Sequence, residues 1–411
     1  MVIMGLFSKT TAVLTDEEKV RDILTRGVED VFIKESLEKK LLSGKRLRIK
    51  LGFDPTGPYV HIGRAIILRK LRAFQELGHT VVFIVGDFTA KIGDPSDKLE
   101  KRPMLTDEQI AKNLKTYKQQ IGSIIDLSKA EFRYNSEWLS KLHFNEIAEL
   151  AESFSVQQMS NRRNFKERID RGEEVSLREF LYPLMQGYDS VAVKADVELG
   201  GFDQLFNVKA GRVIQRHYGM AEQDVLTTKM LVGTDGRKMS SSWGNIIAIT
   251  DAPNDMYGKV MAVRDDLLSD YFLLCTDLSI KDIETIQGQL AGGTNPRDIK
   301  MMLAREIVTI YHGKHTAIAA EKNFVKTFSE GGIPEDTKEI TIEKGTLLAD
   351  ILLKEKLIAS KSEFARLIRE GAIFQTSASG AETKITDIKA AATESATYKI
   401  GKRRFVKVII K

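Results

Sequence analysis

Cysteine is almost absent. Cys275 is the only one in 411 residues, so no disulfide forms within the chain and no cysteine-based zinc site is expected. The six histidines are scattered. Only His312 and His315 fall three apart on a predicted helix. No carboxylate or third histidine stands beside them, so the pair reads as a solvated face and no metal site is expected. No apolar run approaches the roughly 20 residues that a membrane span needs. The opening MVIMGLFSK is too short for a signal peptide and leads into charged sequence. These absences predict a protein of a reducing aqueous compartment, the cytoplasm, with no membrane partner. Internal repeats and low-complexity tracts are also missing.

What is present is enough chain for two or three domains with apolar cores. The net charge is +5, and its placement is uneven. Residues 346 to 411 hold 13 Lys/Arg and 7 Asp/Glu, a surplus of +6 that leaves the rest of the chain at −1. A basic terminal module on a neutral body points to a polyanionic partner; the plainer reading is a surface charged for solubility.

The TDEE at 15–18 resembles a capping box and predicts helix to about Ser43. RLRIKLGF (46–53) alternates like a strand. His61 to Leu77 has helical spacing and stops at Gly78. TVVFIVG (80–86) is a buried parallel strand by composition. Strand, loop, helix and strand make a βαβ unit. AEFRYN (130–135) and VKADVELGG (193–201) read as strands; LREFLYPLMQGYDSV and DQLFNVKAGRVIQRHYG read as helices. The first 235 or so residues thus predict an α/β, doubly wound, Rossmann-like parallel sheet. Beyond residue 250, three successive helical patterns predict a small helical domain. GGIPEDT (331–337) reads as a linker. The tail predicts two short helices, 346–357 and 360–371, and strands at GAIFQ, TYKIG and RFVKVIIK, a small α+β module. The expected boundaries are 1–249, 250–335 and 340–411.

Two loops carry chemistry. In GFDPTGPYVHIGR, at a strand's carboxyl end, a polar glycine-rich turn enters a helix N-terminus. Unpaired N–H groups and the helix dipole favour an anion there, with Thr56, His61 and Arg64 as phosphate contacts; the alternative is a strained turn. GTDGRKMSSS (233–242) joins glycines, Lys238 and three serines, a mobile loop suited to a phosphate chain. Alone it also fits an ordinary surface loop.

With HIGR and KMSSS both flanking an α/β sheet, the chain resembles the class I aminoacyl-tRNA synthetases, whose signatures are HIGH and KMSKS. It is most similar to the bacterial tyrosyl-tRNA synthetases over most of its length, through Tyr182, Gln186 and Asp189 in YPLMQGYD and through GGFDQ at 200–204. These three side chains, four and three apart, share one helical face. The resemblance implies activation of tyrosine by ATP, with Mg²⁺ bound to the nucleotide, and transfer to tRNA by a homodimer; the nucleic-acid partner is RNA rather than DNA. It implies that Tyr182 and Gln186 hold the amino group and that Asp189 accepts the phenol O–H. Thr89, Asp94 and Asn135 would line the amino-acid site, with Gln204 beside the carboxylate. Gly52, Asp54, Gly63, Gly201 and Asp203 would meet the nucleotide. Thr56, His61, Lys98, Arg102, Lys238 and the loop residues Met239, Ser240, Ser241 and Ser242 would hold the phosphates. The tail is similar to the S4-type RNA-binding domain, with Lys361, Arg366 and Arg369 as phosphate contacts.

Three positions depart from the family pattern. Arg64 replaces the second histidine of HIGH. Ser241 replaces the second lysine of KMSKS. Lys50 stands where well-known members have a tyrosine that touches the substrate hydroxyl; it either pairs with Asp189 or points away. The rival readings are a synthetase for tryptophan, a non-catalytic RNA-binding paralogue, and a small nucleotidyltransferase. The last leaves KMSSS, the helical segment and the basic tail unexplained.

Overall fold

The structure is a computed structural model that describes residues 12–95, 104–239, 243–329, 337–377, 381–401 and 404–411. It divides into two compact units, residues 1–314 and 315–411.

The first unit is built on a sheet of six strands: β1 (Val28–Phe32), β2 (Arg48–Phe53), β3 (Thr80–Val85), β4 (Ala130–Tyr134), β5 (Val197–Gly201) and β6 (Asp224–Thr228). Their spatial order is β1-β6-β5-β2-β3-β4. β2 to β6 are parallel, and β1 joins β6 antiparallel. β3 has five consecutive residues fully buried, Val81 to Val85. The helix Ile62–Glu76 carries the chain from β2 to β3 and lies against β2, β3 and β5. The helix Leu205–His217 joins β5 to β6 and packs on both, and along the helix Leu177–Ala192. The chain leaves β2 toward β3 and returns on its other side as β5. The cleft of a doubly wound sheet therefore opens between the carboxyl ends of β2 and β5.

The long helix expected from Thr15 to Ser43 is two helices, Glu17–Thr25 and Lys34–Leu42, with β1 between them. Gly27 breaks the run. Its φ is +62°, and a Cβ there would lie 2.7 Å from Leu274 Cδ2. Val28, Val31 and Phe32 then pair with Thr228, Leu226 and Val225 at the sheet edge.

After β6, the helices Pro253–Met261, Leu268–Cys275, Ile280–Ala291 and Pro296–His312 pack on one another within the same unit. The first two were not legible as helices. No described helix is long and apolar enough to cross a membrane.

The second unit takes in the helix Lys314–Ser329 from its second residue onward and holds a five-stranded sheet. Its strands are β7 (Glu339–Ile342), β8 (Ile373–Ser377), β9 (Glu382–Lys384), β10 (Ala396–Ile400) and β11 (Arg404–Ile410), in the order β7-β11-β10-β8-β9. The helices Leu348–Lys354 and Lys361–Arg369 share its core, which includes Leu352, Phe364, Ile373, Tyr398 and Val406. Lys361, Arg366 and Arg369 are exposed on the opposite face of the second helix. Lys361 pairs with Asp350 at 2.7 Å and Arg366 with Glu370 at 3.1 Å. Surface pairs of this kind are weak and exchange partners at little cost.

Candidate active site

The polar residues singled out in the first unit follow the carboxyl ends of the parallel strands. Gly52 and Asp54 come from β2, Thr89 and Asp94 from β3, Asn135 from β4, and Gly201, Asp203 and Gln204 from β5. The helix Leu177–Ala192 adds Tyr182, Gln186 and Asp189.

One hydrogen-bond chain links the ends of β2, β3 and β4 to the helix Leu177–Ala192. Tyr182 donates its O–H to Asp54 Oδ2 at 2.9 Å, and Thr89 donates to Asp54 Oδ1 at 2.7 Å. Asn135 Nδ2 donates to Thr89 Oγ1 at 3.0 Å and to Asp189 Oδ2 at 3.4 Å. Trp138 Nε1 donates to Asp189 Oδ1 at 2.8 Å. Asp54 reaches its place because Gly86 has no side chain: a Cβ there would stand 2.0 Å from Asp54 Oδ1 and 2.4 Å from Thr89 Oγ1. Burial raises the Tyr182 phenol well above its usual value, and the Asp54 and Asp94 carboxylates add to this. Its proton stays on and goes to Asp54, so its oxygen is left as an acceptor.

Asp189 is 4% exposed. Burial pushes its carboxyl up to about 7, against the pull of Lys50 and the donors Trp138 and Asn135, while Glu198 adds to the rise. A second cluster surrounds Asp94, which accepts from Gln204 Nε2 at 2.6 Å and Asn207 Nδ2 at 3.2 Å. Arg162 donates to Asn207 Oδ1 at 3.2 Å and lies 4.2 Å over the Phe206 ring.

Lys50 points away from Asp189. Its ammonium pairs with Glu198 Oε1 at 2.9 Å and donates to the Gln186 carbonyl and Ser190 Oγ, both at 2.8 Å. Glu198, Trp138, Asn207 and Arg162 were not read from the sequence. A signal existed for Glu198: a lone charge in an otherwise apolar strand.

The first signature loop meets the chain that follows the second, and Met239 of the second. His61 and Ala248 form an antiparallel bridge; Ile62 N–H donates to Ile247 O at 2.9 Å, and Ile249 N–H to Val60 O at 2.9 Å. Met239 packs at Gly63, where a Cβ would lie 3.0 Å from its Sδ. Lys238 Nζ lies 3.7 Å from Asp203 Oδ2. His61 caps the helix Ile62–Glu76: its Nδ1 accepts the Arg64 N–H at 3.3 Å. Burial, then Arg64 and Lys238, lower the imidazole to about 3. The ring is therefore neutral near pH 7, and with Nδ1 accepting, its proton sits on Nε2 as a free donor. Arg64 donates to Thr56 Oγ1 at 2.9 Å and to Tyr117 Oη at 3.3 Å. Accepting from Arg64 leaves the Thr56 hydroxyl proton available. This end of the cleft thus presents donors and cations, and the first turn of its helix carries no acidic residue. An anionic chain fits there. Lys98, Arg102, Ser240, Ser241 and Ser242 lie outside the described residues. Among the described residues, no group of three His, Cys, Asp or Glu is placed to hold a metal ion.

Compared with known proteins, residues 42–329 match the family of tRNA synthetases class I (W and Y). The chain is 43% identical to tyrosine–tRNA ligase 2 of Vibrio cholerae over 94% of its length and 98% of that protein. It is 44% identical to the tyrosine–tRNA ligase of Desulfotalea psychrophila, over 96% of this chain and 98% of that one. The crystal structure of a C-terminally truncated mitochondrial tyrosyl-tRNA synthetase from Aspergillus nidulans superposes with a TM-score of 0.62 at 24% identity, covering 75% of this chain and 94% of that one. The chain therefore belongs to the class I tRNA synthetases of the tryptophan and tyrosine group.

Proposed function

We propose that this protein is a tyrosine–tRNA ligase that makes tyrosyl-adenylate from tyrosine and ATP and passes the tyrosyl group to tRNA. One observation carries the choice of amino acid. Asp189 is a buried carboxylate on the helix face of Tyr182 and Gln186, holding two donors and, among the described residues, paired with no cation. A carboxylate with spare lone pairs suits a phenol O–H, and phenylalanine would leave it unpaired. The indole of tryptophan, with its N–H elsewhere on a larger ring, fits such an acceptor less well.

The ammonium group of tyrosine would meet the acceptors Tyr182 Oη, Gln186 Oε1 and Asp94, with Gln204 beside the carboxylate. No protein nucleophile is needed. The tyrosine carboxylate attacks the α-phosphorus of ATP in line, and the bond to pyrophosphate breaks. Thr56, neutral His61, Arg64 and Lys238 supply donors and charge as the negative charge moves onto pyrophosphate; Lys98, Arg102 and Ser241 are assigned to the same task. Asp203 and Gly201 would hold the ribose, with Gly52, Gly63 and Met239 lining the nucleotide. Mg²⁺ arrives as part of the nucleotide substrate, held mainly by phosphates. A terminal ribose hydroxyl of tRNA then attacks the tyrosyl carbonyl and releases AMP.

The proposal extends to a cytoplasmic homodimer with three parts: a catalytic domain to residue 249, a helical domain over 250–335 and an S4-like RNA-binding domain over 340–411. Phe144, at 87% exposure, and Leu177, on two helices that pack together, support a protein interface on this unit. Lys361, Arg366 and Arg369 would contact RNA phosphates, giving affinity and salt dependence rather than sequence reading. ATP–pyrophosphate exchange with each of the 20 amino acids tests the reading. Exchange stimulated by tyrosine is expected; stimulation by tryptophan alone overturns it.

A further inference from the structure

Lys50 and Glu198 form a buried ion pair that the proposed reaction does not use. They are 0% and 1% exposed and stand side by side in β2 and β5. The three ammonium donors of Lys50 have three acceptors: Glu198 Oε1, Ser190 Oγ and the Gln186 carbonyl. Glu198 in turn accepts from Gln186 Nε2 at 3.1 Å, Ser190 Oγ at 3.0 Å and Gln223 Nε2 at 2.5 Å. Burying two charges is costly, and stability is a weak reason to keep such a pair.

We infer that Lys50 and Glu198 are a positioning pair that holds the Gln186 side-chain amide in one of its two orientations, with Oε1 turned to the substrate's ammonium group. This rests on the tyrosine reading. An amide facing a carboxylate must present its NH₂ side. Glu198 therefore takes Nε2, and Oε1 is directed the other way, where it has no hydrogen-bond partner among the described residues. The flipped amide would set oxygen against carboxylate and aim N–H groups at an ammonium. Lys50 grips the same residue by its carbonyl and balances the charge that Glu198 would otherwise bring alone into the interior.

The test compares tyrosine with 3-(4-hydroxyphenyl)propionate, which keeps the phenol and carboxylate but lacks the ammonium. Both Kd values are measured on the full chain and on the double variant Lys50→Met, Glu198→Met, which removes both charges and the acceptor of Gln186 Nε2 and leaves no orphan ion. Tyrosine is expected to bind roughly tenfold to a hundredfold more weakly, and the propionate to within about twofold of the unaltered protein. Adding Gln186→Leu to the double variant is expected to cause no further loss, since both act through one amide. Equal weakening of the two ligands, no weakening of either, or fully additive losses would overturn the inference. If the double variant does not fold, Gln186→Leu in the otherwise unaltered chain decides: it must weaken tyrosine selectively, and an equal effect on both ligands rejects the idea. An unaltered protein that binds no tyrosine removes the proposed function itself, and this inference with it.

Discussion

Replacing Asp189 with Asn is expected to stabilise the protein at pH 8 and to damage its choice of substrate. Burial holds the Asp189 carboxyl at about 7, against an ordinary 3.8. Between those values the folded protein keeps a proton that the unfolded chain has lost. Stability therefore falls as pH climbs from about 4 to 7 and levels off above. About three units at about 1.4 kcal/mol each amount to about 4 kcal/mol at pH 8. Asn carries no charge and escapes this cost. Its carbonyl still accepts from Trp138, but its NH₂ faces the Asn135 amide, a conflict worth about 1 kcal/mol. The net gain is about 3 kcal/mol at pH 8 and none near pH 4. Urea unfolding at pH 5, 6.5 and 8 measures it. Both tryptophans, Trp138 and Trp243, lie in the catalytic unit, so their fluorescence follows that unit. A stability difference that does not grow with pH would refute the reasoning.

The same substitution has a functional side. In the proposed role the ionised carboxylate would accept the phenol O–H, so kcat/KM for tyrosine in the unaltered protein is expected to rise through an apparent pKa near 7. In the variant that limb should vanish, and the preference for tyrosine over phenylalanine should fall by roughly tenfold or more. An identical limb in the variant would mean that another group sets it.

Gly86→Ala is expected to displace Asp54 and Thr89, since the new Cβ falls on their oxygens. Exchange activity should be nearly lost and stability reduced by about 1–3 kcal/mol; normal activity would show that Asp54 does not depend on this close approach. Arg64→Ala should lower the exchange rate by roughly a hundredfold with little change in the KM for tyrosine, because it removes a cation only from the end proposed to hold the phosphates; a loss confined to tyrosine KM would misplace the residue. Deleting residues 340–411 should leave adenylate formation largely intact and impair tRNA charging. Equal loss of both would make the tail structural.

The legible parts of the fold were those whose signal is local. β3 declares itself by an unbroken apolar run, and the helix Ile62–Glu76 by its spacing and its stop at Gly78. β1 was missed because its strand state depends on an edge supplied by β6, almost 200 residues away. In the site, the contiguous loops and the Tyr182–Gln186–Asp189 face were readable as motifs. Trp138 and Asn207 were not, because each acts on a partner that only the folded sheet brings near.

Lys50 and Glu198 mark the boundary between the two kinds of information. Lys50 stood out only as a departure from the family pattern, and Glu198 only as a lone charge in an apolar strand, which is costly alone. Nothing in the sequence said that β2 and β5 are neighbours, so the pairing had no counterpart. Once the strands are adjacent, Lys50 and Glu198 fall in register as directly paired positions. A slip of one residue would turn one side chain to the other face and leave two unpaired buried charges, a penalty of about 3–5 kcal/mol. The pair therefore ties the register of the two strands flanking the cleft to the orientation of the residue expected to bind the ammonium. One contact would then set both the sheet and the proposed amino-acid pocket.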